Sequence, residues 1–148
     1  MNISEITENL WIGTTPDNSD FDLLRRLGVK LVINMRLVHR PSRDLGKPSL
    51  NFLWLRTIDS PIIPIPVRSL RRGVQAALEV IANGGKVYVH CAGGRHRSVA
   101  MGAAILIAQG LSPESAMALI KAQRSVADPY IFYIHRRIKL FARKWSGK

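Results

Sequence analysis

The sequence predicts an α/β domain: a small, mostly parallel sheet of four to five strands flanked by helices. Three observations carry this. Short β-branched and aliphatic runs alternate with amphipathic segments as far as residue 90. Glycine and proline punctuate the boundaries between them. Three helical patterns then follow one another to the end of the chain.

Residues 9–13 (Asn-Leu-Trp-Ile-Gly) form the first expected strand, ended by glycine, and a polar loop with Pro16 follows. Phe21, Leu23, Leu24 and Leu27 recur at helical spacing, so residues 20–27 are a helix that Gly28 stops. Residues 29–33 read as a buried strand, 39–47 as a basic loop, and 51–55 as another strand. Pro61, Pro64 and Pro66 remove backbone donors from residues 59–66, which read as an ordered loop. A helix is expected over 67–82, stopped by Asn83-Gly84-Gly85, and a strand over 86–90. Residues 97–109 form an apolar helix. Ser112 caps the next, with Pro113 in its first turn. Asp128-Pro129 is expected to open the last helix, which carries Ile131, Ile134, Ile138 and Phe141.

The 148 residues suit one catalytic domain, 1–148, and the 47% apolar content excludes a disordered chain. No apolar run approaches the ~20 residues that span a bilayer. The opening residues carry Glu5 and Glu8 without a basic cluster, unlike a secretory signal. A single cysteine allows no internal disulfide, which points to the cytoplasm. A monomer is expected. The net charge of +12 favours anionic partners without naming one.

The chemistry centres on His90-Cys91-Ala92-Gly93-Gly94-Arg95-His96-Arg97-Ser98, a Cys-x5-Arg pattern followed by serine. An expected strand feeds it and an expected helix leaves it, the layout of an anion cradle at a helix N-terminus. Backbone donors of Ala92, Gly93, Gly94, Arg95, His96 and Arg97 would face the phosphate. Gly93 and Gly94 permit the tight turn. A thiol placed there is driven toward thiolate, a nucleophile for phosphorus. Arg97 offers a planar fork for two phosphoryl oxygens. Ser98 can donate to the sulfur as it leaves, and His90 can fix the loop from behind. Asp59 follows a strand and lies near the carboxyl edge of the sheet, so it is the candidate general acid, and later the base for water.

These residues resemble the dual-specificity branch of the protein tyrosine phosphatases, over nearly the whole chain. The opening Asn9-Leu10-Trp11-Ile12-Gly13, the Leu27-Gly28-Val29 step, and His90, Cys91, Gly94, Arg97 and Ser98 match its pattern. Asp59 stands where its general acid usually does, some thirty residues before the cysteine. The resemblance implies the protein-tyrosine-phosphatase fold, no metal and no cofactor. It also implies activity on phosphotyrosine, with or without phosphoserine and phosphothreonine. Arg95 and His96 stand where many protein-directed members carry small or neutral residues. Phosphoinositide and inositol-phosphate phosphatases of the superfamily often carry basic ones.

The same chemistry could serve inositol phosphates, phosphoinositides or RNA 5′ ends. A non-catalytic phosphate- or nucleic-acid-binding module ranks lower, because no aromatic stacking pattern is evident. A rhodanese-like sulfurtransferase would need neither Arg97-Ser98 nor an upstream aspartate. Asp128-Pro129-Tyr130 is similar to the acid motif of low-molecular-weight phosphatases. Those place their cysteine loop near the N-terminus, so Asp128 reads as a helix cap.

Overall fold

A computed structural model describes residues 1–147. Its elements run β1 (Ile3–Thr7), β2 (Leu10–Gly13), α1 (Phe21–Leu27), β3 (Val29–Arg36), β4 (Asn51–Thr57), α2 (Val67–Ala82), β5 (Lys86–His90), α3 (Arg97–Ala108), α4 (Pro113–Gln123) and α5 (Phe132–Ser146). The five strands lie in the order β1-β2-β5-β3-β4. Only the β1–β2 pair is antiparallel; β2, β5, β3 and β4 run parallel. Their carboxyl ends therefore share one edge, where the loop after β5 emerges between the ends of β2 and β3.

Alternation along the central strands assigns the two faces. Leu31, Ile33, Val87 and Val89 join the large core beneath α2 to α5. Val29, Val32 and Tyr88 point the other way and pack with Phe21 and Leu24 of α1. Both faces are covered, as a parallel sheet requires. Helix α3 is buried continuously from Ser98 to Ile107. Its apolar residues extend all the way round, which fits a helix enclosed by others.

The expected α2 and β5 coincide with the observed ones. Ser112 caps α4, its hydroxyl accepting from the Ser115 N–H at 3.1 Å. Three differences have physical causes. Strand β1 was not expected: Ile-Ser-Glu-Ile-Thr buries only Ile6 and takes its order from pairing with β2. Strands β3 and β4 run past their apolar runs to Arg36 and Thr57, because pairing continues through polar Asn34 opposite Trp54 and resumes, after a bulge at Arg56, with Arg36 opposite Thr57. Asp128 does not open the last helix. Its carboxylate accepts from the Ile131 N–H at 3.2 Å in a turn, and α5 starts at Phe132.

Gly13 ends β2 against the start of β1. A methyl group there would collide with the Asn2 carbonyl and lie 2.6 Å from the Tyr88 hydroxyl. Neither atom ends a flexible chain free to move aside. Gly13→Ala is therefore expected to cost about 1–3 kcal/mol, read as a lower denaturation midpoint at unchanged slope.

Candidate active site

The loop 91–96 leaves β5 at the carboxyl edge and enters α3, whose N-terminal N–H groups face back into it. Cys91 is 3% exposed. Its sulfur lies 3.2 Å from the Ser98 hydroxyl and accepts from the Gly94 N–H at 3.3 Å. Burial alone would push the thiol up. Hydrogen bonds from the Ser98 side chain, the Ser98 and Gly94 backbones, and the charge of Arg97 outweigh it and hold the thiol below its ordinary value.

Gly94 carries the loop through φ +65°, and a side chain there would lie 2.8 Å from the Gly13 carbonyl. Behind the loop, Arg124 is 3% exposed. It donates from Nε to the Gly94 carbonyl at 2.8 Å and from Nη2 to the Gly93 carbonyl at 3.3 Å. Its Nη1 donates to Asn2 Oδ1 at 2.7 Å and Ser4 Oγ at 3.1 Å. The guanidinium thus turns the loop's carbonyls outward, which leaves its N–H groups facing in. Thr15 donates to the Cys91 carbonyl at 3.1 Å and accepts from Arg36 at 3.0 Å. His90 is buried against Tyr88, its ring centroid 5.9 Å from the tyrosine's. Burial pushes His90 down to about 4, outweighing a backbone hydrogen bond with Cys91, so the ring beneath the loop is neutral at pH 7.

Arg97 donates from Nη1 to the Thr57 carbonyl at 2.9 Å and to the Met35 carbonyl at 3.4 Å. Its Nε is buried and has no hydrogen-bond partner. One side of the fork is anchored to the ends of β3 and β4, and a buried donor on the other is unsatisfied. A buried orphan donor beside a thiol held toward its anionic form fits an absent oxyanion.

With this geometry in view, the comparisons with known proteins are consistent. The family described as "Dual specificity phosphatase, catalytic domain" matches residues 10–141. The chain belongs to this family. It is similar to the mouse "Phosphatidylglycerophosphatase and protein-tyrosine phosphatase 1", 41% identical over 91 residues, covering 61% of this chain and 47% of the relative. The chain spans about half the length of the curated relatives it matches first. Among solved structures, PTPMT1 in complex with PI(5)P superposes with a TM-score of 0.83 at 30% identity, covering 98% of this chain and 97% of that one. Human DUSP28 superposes at 0.86 with 23% identity, covering 97% of this chain and 95% of that one, a likeness of fold.

The structure groups Cys91 with Ser98 and Arg97, and sets Asp59 against His96 within reach of the Arg97 charge. Asp59 Oδ2 lies 3.0 Å from His96 Nδ1, and Oδ1 accepts from the Tyr133 hydroxyl at 2.7 Å. The ring of His96 packs edge-on against Tyr133, and its Nε2 lies 3.9 Å from Asp128. Burial pushes the Asp59 carboxyl up, but hydrogen bonds from His96 and Tyr133 and the charges of His96 and Arg97 bring it below the usual carboxylate range. Burial and the bond to Asp59 push the Tyr133 hydroxyl up to about 12. Ala92 and Gly93 form the outer arc of the loop. The Arg95 side chain turns away from it, Nε donating to the Val126 carbonyl at 3.2 Å. The Arg95 carbonyl accepts from the Asp128 N–H at 2.9 Å.

Arg124, Tyr133, Thr15 and Arg36 were not among the residues expected here. The only sequence hint of Arg124 is its place at the end of a helix; its burial and partners depend on residues up to 122 positions away. Among the described residues, no group of His, Cys, Asp or Glu is placed to hold a metal ion.

The lowered thiol can be measured directly. The rate of Cys91 alkylation against pH should have its midpoint below the ~8.5 of a free cysteine, because the thiolate persists to lower pH. Ser98→Ala should move that midpoint upward. An unmoved midpoint would assign the depression to the loop backbone and Arg97 alone.

Proposed function

We propose that this chain is a cysteine-dependent phosphomonoesterase, metal-independent, with Cys91 as nucleophile, Arg97 as phosphate clamp and Asp59 as general acid and base. The observation that carries the reading is the buried Arg97 Nε without a hydrogen-bond partner, on a guanidinium whose charge acts on the Cys91 thiol. A phosphoryl oxygen supplies the acceptor that the Nε lacks.

The thiolate attacks phosphorus and forms the S–P bond. The P–O bond to the leaving group breaks, and its electron pair goes to that oxygen. Asp59 delivers a proton there, so an alcohol or phenol departs. N–H groups of the loop, the α3 N-terminus and Arg97 stabilise the equatorial oxygens. Water then attacks the cysteinyl-phosphate and gives its proton to the Asp59 carboxylate. The S–P pair returns to sulfur, where the Ser98 hydroxyl donates a hydrogen bond.

The depressed Asp59 sets the protonation logic. In the free protein it is a carboxylate at neutral pH. The reactive complex holds a thiolate, a protonated Asp59 and a dianionic ester. That is the same proton count as thiolate, Asp59 carboxylate and monoanionic ester. The ester can bring the proton, and its second pKa is ~6. Activity is therefore greatest under mildly acidic conditions and falls as pH rises past that value.

Phosphotyrosine, with phosphoserine and phosphothreonine beside it, is the first substrate reading. A second is favoured by a specific observation. The mouse relative is named a phosphatidylglycerophosphatase as well as a tyrosine phosphatase, and PTPMT1 was crystallised with PI(5)P. Both suit a chain of net charge +12. The lipid or inositol monoester reading predicts faster turnover of PI(5)P than of phosphotyrosine peptides, and the reverse order rejects it.

Cys91→Ser should abolish release of nitrophenolate from p-nitrophenyl phosphate in chelator. Retained turnover would overturn the nucleophile assignment. Asp59→Asn should slow an alkyl phosphate by about 10²–10⁴-fold and p-nitrophenyl phosphate far less, since nitrophenolate departs unaided. Equal losses on both would remove Asp59 from the acid role.

A further inference from the structure

Nine large apolar side chains are exposed among the described residues. Their distribution is uneven. Seven of the nine (all except Leu23 and Leu45) sit on three segments at the carboxyl edge of the sheet. One segment is 37–38, directly after β3, with Val38 78% exposed. The second is 62–63 in the loop after Asp59, with Ile62 85% exposed. The third is 126–132, the turn behind the Cys91 loop, with Tyr130 and Phe132 more than half exposed.

Each segment is tied to the site. The Leu37 carbonyl accepts from Arg56 Nε, one residue before the Thr57 that anchors Arg97. Ile62 follows Asp59 by three positions, and its N–H donates to the Ser60 hydroxyl at 3.0 Å. The third segment bonds Arg95 through Val126 and Asp128. The mouth of the site is therefore flanked by three segments that carry exposed apolar side chains.

Arginines accompany the tips: Arg40 follows Val38 by two positions, Arg95 donates to the Val126 carbonyl, and Arg136 lies over Phe132. Arg40, Arg95 and Arg136 have no carboxylate partner among the described residues. The Arg136 guanidinium lies 5.7 Å from the centre of the Phe132 ring, on the same rim. Asp59 and Asp128, the carboxylates nearest the mouth, are engaged by His96. The rim presents apolar tips and unbalanced positive charge together.

From this we propose that the rim docks on an anionic phospholipid bilayer, with the mouth facing a phosphate monoester borne on the lipid surface. The tips stand on separate segments, and a groove among them, beside Ile62 and Tyr133, is small and lined also by Arg136 and Arg137. A fluid surface needs no groove: the tips enter the interface while arginines meet lipid phosphates. The contact is peripheral, since no described helix is long and apolar enough to cross a membrane. Delivery of the headgroup to Cys91 rests on the phosphomonoesterase reading above; docking itself does not.

The test separates the two. Cys91→Ser protein is floated with vesicles of mixed phosphatidylglycerol and phosphatidylcholine, and with phosphatidylcholine alone. Binding to the anionic vesicles, weakened by salt, is expected. Combining Val38→Ser, Ile62→Ser and Tyr130→Ser, one change per segment, should weaken it about tenfold or more. Leu45→Ser, a side chain as exposed as Val38 but on a segment held to α1 through Asp44 and Arg25, should leave it unchanged. With Cys91 intact, the triple variant should turn over p-nitrophenyl phosphate like the parent. Docking is overturned if the parent stays off anionic vesicles, binds both compositions equally, or binds them as tightly after the triple change. Vesicle binding without p-nitrophenyl phosphate turnover would overturn the phosphatase reading and leave docking standing.

Discussion

A sulfur almost without solvent, held toward its anionic form, is the constraint around which this molecule is organised. A buried charge with no partners would protonate rather than persist. The protein meets that condition with dipoles already in place. The Ser98 hydroxyl, the Gly94 amide, the α3 N-terminus and Arg97 converge where the chain turns from strand to helix. Because those donors belong to the backbone and to α3, they hold only while α3 is fixed. That helix is buried from Ser98 to Ile107, between the sheet and its helical neighbours. The large core thus sets the chemistry of one atom.

Orienting amides inward leaves the carbonyls of the same loop facing outward, and Arg124 answers that need. Its guanidinium links the loop to Asn2 and Ser4 at the opposite end of the chain. Thr15 and Arg36 hold the first carbonyl, and the turn before α5 holds Arg95. Three parts of the chain bond the outer side of the cradle directly: Thr15, Arg124 and the 126–128 turn. Asp59 joins it from the remaining direction, fixed by His96 and Tyr133.

The readable parts were those set by local chemistry. Val67–Ala82 shows its apolar face in its own spacing, and Lys86–His90 is a compact β-branched run between glycines and the loop. Cys91, Gly94, Arg97 and Ser98 lie within eight residues, so their joint purpose is visible without a fold. Asp59 was accessible because strand order places it at the same edge. The residues that escaped are set by tertiary contact. Arg124 looks like any arginine ending a helix until its burial is known. Tyr133 sits one place from core Ile134 and gives no sign that it faces Asp59. Arg95 and His96 are adjacent basic residues of the loop. The fold separates them, turning one ring to Asp59 and the other side chain to Val126. Asp128 shows the opposite error: a sequence fit for a helix cap is used in a turn one step earlier.

Cys91 is also the one cysteine of the chain. The donors that hold its sulfur toward the thiolate also favour its reaction with peroxide, whose first product is a sulfenic acid. No second thiol exists in the sequence to condense with that product, so no internal disulfide can hold it short of irreversible oxidation. Recovery must come through a neighbouring backbone nitrogen or a thiol supplied from outside. For this thiol, the reductants in its surroundings decide whether oxidation stays reversible.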